Sequence, residues 1–485
     1  MTERVEFPQS RCLLGVSHGL ITPPVGMYHR MWGAARHDQS TGIHEQLWQT
    51  TLVVAPPDSD DPVADGMVFI GVDHCLLGAT ELERIQQQIS AASGISESQI
   101  IVFFSHTHGA GLLTDDRVDL PGGDLIPQYF EFLASHLGES VTEALSSIQP
   151  AIIVYGTGHC SLATNRDYFD SAGKALCGFN PDGPADTTVV VARAHAESDG
   201  QPLAAVVNYA CHPTTLAWDN TLISPDYVGA MRQLVEETVG GIACLFVQGA
   251  SGDIGPRHGF VGDTAVADRN GRQLGYAVLS VLESLPRPGQ AFEYTGSVIS
   301  GATIGTWDYV PIDRERTRAI SCWKVHDSTS PLAWRPDLPQ KEALLQEQSH
   351  WERVLETAQN NNRTKQVADA RAMLERITRR FFLIRDLPES ADYPYPIRVW
   401  RLGDAIWIAL NGELYNVLQT RLRERFPGVV IIVGTLANGS AVWYLPDRDS
   451  YGKGVYQEQA SVLAQGSLES LTETLCTVIQ ELIGG

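Results

Sequence analysis

Residues 100–111 read IIVFFSHTHGAG. Ile100 to Phe104 are β-branched or aromatic without exception, which predicts a buried strand, and Gly109 and Gly111 end it. Residues two apart on an extended chain share a face, so His106 and His108 can point into one pocket. Two imidazoles at a strand end are what a divalent metal site asks of its first segment. The competing reading is a pair of satisfied polar groups at a strand terminus, and HxH alone does not decide between the two.

Upstream of this stretch, MVFIGVDH (67–74) reads as a strand ending in Asp73 and His74, followed by a helix from Thr80. This strand–helix–strand order is βαβ-like. Before it, residues 27–45 form a long loop carrying His29, Arg30, Arg36, His37 and His44, and loops of that kind are commonly functional. Downstream, the pattern predicts a helix over 125–148 and strands ending near Cys160, Ala196 and Cys211, with an Asp199-Gly200 turn. It continues with a helix from Ser224, a strand running into GASGDIGP, and a helix from Arg269. Residues 313–390 are charge-rich and read as two helices around an Asn-rich turn, a helical hairpin packed as a wall or lid. The closing part predicts a hairpin at Gly403-Asp404, a strand with a long Gly/Asp/Tyr loop, and a final helix. The fold class expected is α/β: a mixed, largely parallel β-sheet flanked by helices. A single domain over 1–485 is expected, with the 313–390 helical insertion inside it.

Composition narrows the function. The chain has 485 residues, 43% hydrophobic and 19% charged, enough for a large core. Lys and Arg number 35 against 57 Asp and Glu, giving a net charge of −22. That argues against nucleic-acid binding and against adsorption on anionic membranes. The eight cysteines are scattered with no CxxC pair, which fits buried free thiols in a reducing compartment. No segment reaches transmembrane length and the N-terminus has no apolar signal region, so the expected location is the cytoplasm and no stable membrane insertion is expected. A small-molecule substrate is the expected partner, and homo-oligomerisation is left open.

The reactive residues collect at strand ends. His106 and His108 follow IIVFF, His212 follows PLAAVVNYAC, Asp253 follows IACLFVQGASG, Glu413 follows AIWIALNG, and Tyr444 lies in the loop after VVIIVG. In open α/β sheets that edge is where ligands bind. Two histidines and a glutamate with an open position make a catalytic zinc inventory, which His106, His212 and Glu413 can supply from three strand ends. Tyr444 is an additional ligand candidate, its phenol suited to a neighbouring cation. Such a metal acidifies water and polarises a carbonyl, which is hydrolase chemistry on an amide or ester.

The segments GLITPPVG (19–26), HTHGAG (106–111), NRD (165–167), NYACHPTTL (208–216), SPDYVGA (224–230), GASGDIGP (249–256), NGELY (411–415) and YLPDRDSYGKGVY (444–456) occur in an order and spacing that resemble the neutral/alkaline non-lysosomal ceramidase family, specifically its zinc amidase domain. The resemblance implies one Zn2+ per chain on His106, His212, Glu413 and Tyr444. It implies catalytic roles for His108 and Arg166 at the substrate carbonyl and for Tyr456 as a phenol donor, with Asp253 of the GD motif as a further catalytic candidate. The mechanism implied is attack of metal-bound hydroxide on an amide carbonyl, with the oxyanion stabilised by His108, Arg166 or Tyr456.

Three departures set this chain apart from ceramidases. Gly255 stands where the family's GD-x-S-P motif has serine, and neither the C-terminal immunoglobulin-like domain nor a secretion signal is expected. The expectation is therefore a zinc-dependent amidohydrolase acting on a linear, soluble polar amide rather than ceramide, the 27–45 loop hinting at that polarity. A metallo-β-lactamase is excluded because HxHxDH is broken by Ala110 and Gly111. A TIM-barrel amidohydrolase lacks its eightfold repeat here. The alternative from another class is a non-catalytic ligand-binding protein that retains the fold. Trp443, beside Tyr444, and Trp218, past His212, are expected near the pocket.

Overall fold

A computed structural model describes residues 3–385, 387 and 390–484. Its centre is an eight-stranded sheet made of β1 (Gln9–Leu20), β2 (Trp48–Ala55), β3 (Met67–Val72), β4 (Ile100–Phe104), β5 (Gln149–His159), β6 (Thr188–Ala196), β7 (Pro202–Tyr209) and β8 (Ala243–Gln248). The spatial order is β8-β7-β6-β5-β1-β2-β3-β4. Only the outermost pairs, β7 with β8 and β3 with β4, are parallel; the five between them are antiparallel. The sheet is mixed as expected, but the largely parallel arrangement is corrected.

The reason lies in a second sheet, formed by β9 (Trp323–Ala333), β10 (Asp392–Leu402), β11 (Ala405–Ala409) and β12 (Val430–Gly434). It packs face to face on the first. Ile101 and Phe103 of β4, with Phe69 of β3, meet Trp400 and Trp407 of the second sheet, and Phe69 stacks on Trp407 at a centroid distance of 5.2 Å. The opposite face of β4, Ile100, Val102 and Phe104, packs on helices Ala79–Ser93 and Ile126–Ser146 through residues such as Ile85, Ile89 and Leu133. The helices Tyr227–Thr238 and Thr264–Ser284 cover the other half of that face. Helices Val417–Arg425 and Ser467–Gly484 cover the outer face of the second sheet. Each helix presents an apolar stripe to the sheet beneath it. The result is four layers, helix, sheet, sheet, helix, in which central strands are buried on both faces whatever their direction.

The expected helical insertion also differs in extent. Residues 313–390 contain a short helix (Arg314–Ile320) and the whole of β9 before two helices, Lys341–Asn360 and Thr364–Arg385, pack on each other. Trp323–Ala333 alternates between partly buried and exposed residues, and its pairing with β10 made it a strand. Asp386, Pro388 and Glu389 lie outside the described residues.

One loop ties the two edges of the main sheet together. After β12, Thr435 N–H donates to Gln248 O of β8 (2.8 Å), and Asn438 N–H donates to Val102 O of β4 (2.9 Å). Residues following β4 and β8 are thereby brought to one end of the sandwich.

Candidate active site

His106 stands at the first turn after β4, in the left-handed region at φ 66°. A non-glycine residue there stores about 1 kcal/mol or more of strain, which surrounding bonds must offset. Its N–H donates to His74 O (2.9 Å) and its Nδ1 lies 2.7 Å from Cys75 O. His212, after β7, is held by its N–H on Ile254 O (3.1 Å), and its Nδ1 is 3.4 Å from Ser251 O. A carbonyl can only accept, so both Nδ1 atoms carry the proton, and in the neutral rings both Nε2 atoms present lone pairs. Those Nε2 atoms are 3.1 Å apart. Glu413 completes the group, with Oε2 3.3 Å from His106 Nε2 and 3.7 Å from His212 Nε2.

Glu413 reaches this point because Gly412 turns the chain at φ 86°, where a Cβ would lie 2.7 Å from Trp443 O. Glu413–Leu414 pairs in parallel with Tyr444–Leu445, setting Glu413 beside Tyr444. Arg166 Nη2 donates to Tyr444 Oη (3.0 Å) and to Gly252 O (2.7 Å). Burial works against the Arg166 charge, but Tyr444, Cys177 and Glu413 outweigh it and hold the guanidinium firmly protonated.

Three donor atoms that are all acceptors, mutually close and buried, repel one another unless a cation lies among them. Glu413 Oε2 has no hydrogen-bond donor, and the His106, His212 and Glu413 donor atoms lie within 4.8 Å of one another. Burial and Arg166 hold His212 neutral. This donor set, two imidazoles and a carboxylate beside a phenol, fits a divalent ion of the zinc type. Cys75, 3.5 Å from His106 Nδ1 through Sγ, belongs to an overlapping cluster with His106 and His108.

His108 also faces the group, its ring centroid 5.1 Å from that of His106 and 5.3 Å from that of His212. Both of its ring nitrogens are buried without a partner, and burial holds it neutral. Trp32 packs on its outer side at 5.0 Å. Tyr456, 40% exposed, lies 5.6 Å from Tyr444 between ring centroids. A cavity of about 200 Å³ opens on His106, His108, Glu413, Tyr444 and Tyr456, and most of its remaining wall is apolar.

The structure thus brings together His106, His108, His212, Glu413 and Tyr444, with Tyr456 at the cavity wall and Arg166 behind Tyr444. Asp253 does not join them: it is absent from the cavity lining and its Oδ1 accepts the Asn416 N–H (2.6 Å). Burial pushes its carboxyl up to about 7. The polar residues of the 27–45 loop also turn inward, His29 Nε2 onto Gly109 O (3.0 Å) and Arg30 Nη2 onto Gly33 O (2.7 Å), so the cavity receives Met31 from this loop rather than a charge. Asp73, just past the end of β3, is engaged by Arg232 at 2.5 and 2.8 Å. Trp443 lines the cavity as expected, whereas Trp218 packs behind Trp32. The hairpin helix Thr364–Arg385 supplies Arg379, Phe382 and Leu383 to the wall. Sequence reading missed these because their signal was a charged helical face.

Fold and site together define an α/β protein with a two-histidine, one-carboxylate centre at the joined edges of a curled sheet. Residues 12–265, more than half of the chain, match the family described as neutral/alkaline non-lysosomal ceramidase, N-terminal, and the chain belongs to that family. It is 22% identical to a neutral ceramidase of Mycobacterium tuberculosis over 94% of this chain and 75% of that one. It is 24% identical to neutral ceramidase 2 of Arabidopsis thaliana over 46% of this chain, and this match spans 30% of the plant protein. Its fold is similar to the crystal structure of the neutral ceramidase from Pseudomonas aeruginosa, with a TM-score of 0.62 at 15% identity, covering 97% of this chain and 74% of that one.

Proposed function

We propose that this chain is a zinc-dependent hydrolase that cleaves an amide (N-acyl) bond in a linear substrate other than ceramide. The observation that carries this reading is the convergence of His106 Nε2, His212 Nε2 and Glu413 Oε2, all acceptors, within 4.8 Å in a buried site. His106, His212, Glu413 and Tyr444 would hold the ion. Bound there, Zn2+ supplies a Lewis acid that polarises the amide carbonyl and acidifies water.

The chain's own residues support the remaining steps. His108 is neutral and has both ring nitrogens free of other bonds, so it can donate an N–H to the oxygen on which negative charge develops. Tyr456 borders the same cavity, and its hydroxyl can donate to the substrate. Arg166 acts through another residue: its bond to Tyr444 Oη keeps the phenol oriented towards Glu413. The apolar wall excludes water and strengthens each of these contacts. Gly255 in place of the family serine removes a hydroxyl beside His212, where a Cβ would lie 3.8 Å from His212 Cβ. We read this as a change in substrate contacts.

The test is elemental analysis of wild type beside His212→Ala, followed by hydrolysis of a panel of N-acyl amides by the zinc-loaded protein. About one zinc per chain, lost in the variant, with turnover in wild type, is expected. Stoichiometric zinc without turnover of any amide or ester would convert the reading to a ligand-binding protein. Absence of stoichiometric metal from both proteins would break the ligand assignment.

A further inference from the structure

A second cavity, of about 540 Å³, adjoins the first and shares Arg379, Leu383, Trp443 and Tyr456 with it. Arg117, Arg379 and Arg385 border the inner cavity within a mostly apolar wall, whereas the second cavity carries more charged groups. Four arginines line it, Arg335, Arg376, Arg379 and Arg380, against two carboxylates, Asp337 and Glu375. Asp337 is held by Arg335 at 2.8 and 2.9 Å, and Glu375 is shared by Arg379 (3.2 Å) and Arg117 (2.9 Å). Arg380 pairs with Glu347 at 2.9 Å. Arg376 bonds the neutral amide of Gln459 (2.9 Å), and no carboxylate among the described residues pairs with it.

We infer that this outer cavity is a subsite for an anionic oxygen group, carboxylate or phosphate, carried on the amine side of the substrate. The inference rests on the amide-hydrolase reading and names its substrate class: an apolar acyl chain in the inner cavity joined through the amide to an acidic amine, as in an N-acyl amino acid. The protein's net charge of −22 repels anions at long range, so a cavity with a surplus of guanidinium groups is a local exception that an anionic ligand can use. Arginine forks match the two oxygens of a carboxylate or phosphate. Three of the four arginines stand on or beside one another on the helix Thr364–Arg385, whose Arg379 and Leu383 also border the inner cavity, so one element would read both halves of the substrate. Hydrolysis of such a molecule breaks the C–N bond, the acyl carbon gaining the water oxygen as a carboxylic acid and the nitrogen gaining the proton as a free amine.

The test compares N-octanoylglycine, N-octanoylethanolamine phosphate and neutral N-octanoylethanolamine by calorimetric binding to the protein as purified, and by kcat/KM on the zinc-loaded enzyme. At low ionic strength at least one anionic amide is expected to bind about 10-fold tighter than the neutral one. That advantage is expected to shrink in Arg376→Gln and in 0.5 M NaCl, and the preferred anion separates carboxylate from phosphate. Equal binding of all three by wild type, or an unchanged preference in Arg376→Gln, overturns the inference. Hydrolysis of the neutral amide without anion preference defeats the subsite and leaves the hydrolase reading intact. Selective binding of an anionic amide with no hydrolysis defeats the hydrolase reading and leaves the subsite intact.

Discussion

The Nε2 atoms of His106 and His212 face each other at 3.1 Å while both Nδ1 atoms rest on backbone carbonyls. In the neutral rings neither Nε2 carries a proton, so the contact is between two lone pairs, with Glu413 Oε2 adding a third acceptor at 3.3 Å from His106. The fold pins each ring through its Nδ1 from a different strand, which fixes tautomer and orientation before any ion arrives.

Removing a bound ion should therefore lower stability. At free zinc 1,000-fold above its dissociation constant the ion adds roughly 4 kcal/mol, and a chelator should drop Tm by several degrees. Glu413→Gln should start near the chelated Tm and respond little to chelator. A wild-type protein whose melting is indifferent to both zinc and chelator would contradict the three-donor centre.

Two glycines near the site should respond unequally to alanine. Gly412 has φ 86° and a new Cβ would meet Trp443 O at 2.7 Å, so Gly412→Ala should cost about 1–3 kcal/mol and weaken metal binding by shifting Glu413. Gly255 has its nearest atom, Thr214 Oγ1, at 3.5 Å, and Gly255→Ala should change stability by less than about 1 kcal/mol. Denaturant melts of both variants check this; equal costs would refute it.

Arg117 and Glu375, both buried, form a two-point ion pair at 2.9 and 3.1 Å between the 115–117 turn and the second hairpin helix. Arg117→Ala leaves Glu375 with Arg379 alone and should cost about 2–4 kcal/mol. Replacing both, as Arg117→Met with Glu375→Leu, should recover part of that loss because neither partner of the pair is left behind and Arg379 keeps Met31 O as an acceptor. The double variant being less stable than Arg117→Ala would show that the pair itself is strongly stabilising.

Asp253 gives a pH signature. Burial raises its carboxyl to about 7 in the folded chain, above the unfolded value of about 3.9. Between pH 4 and 7 the unfolded chain ionises first, so this residue's contribution to stability is fully present below pH 4 and is lost as pH rises to 7. The loss is on the order of 4 kcal/mol. Asp253→Asn keeps an oxygen for the Asn416 N–H and cannot ionise. The stability of wild type relative to this variant should fall from pH 4 to 7 and then level; a difference constant with pH would show that Asp253 titrates normally.

Much of the centre could be read from one dimension. His106 and His212 stand directly after strands whose apolar runs are unmistakable, and Glu413 and Tyr444 follow two more. Strand direction was not readable. An antiparallel strand exposed on one face alternates, but here the second sheet covers the inner face and helices cover the outer, so antiparallel strands carry the unbroken apolar runs of a parallel sheet. Asp253 looked like its neighbours because position after a strand does not reveal which way a side chain turns, and it turned to the Asn416 N–H.

The sequence by itself determined the strand ends that carry the centre and which acids and imidazoles follow them. Tertiary structure alone decided that β4 and β8, 139 positions apart at Phe104 and Ala243 and at opposite edges of one sheet, are joined through Thr435 and Asn438. It also decided that the charged face of Thr364–Arg385 lines a cavity. Local order follows from periodicity and turn chemistry over a few residues. Which distant elements share a boundary follows from how two sheets and their helices bury their apolar faces together, and no local pattern carries that information.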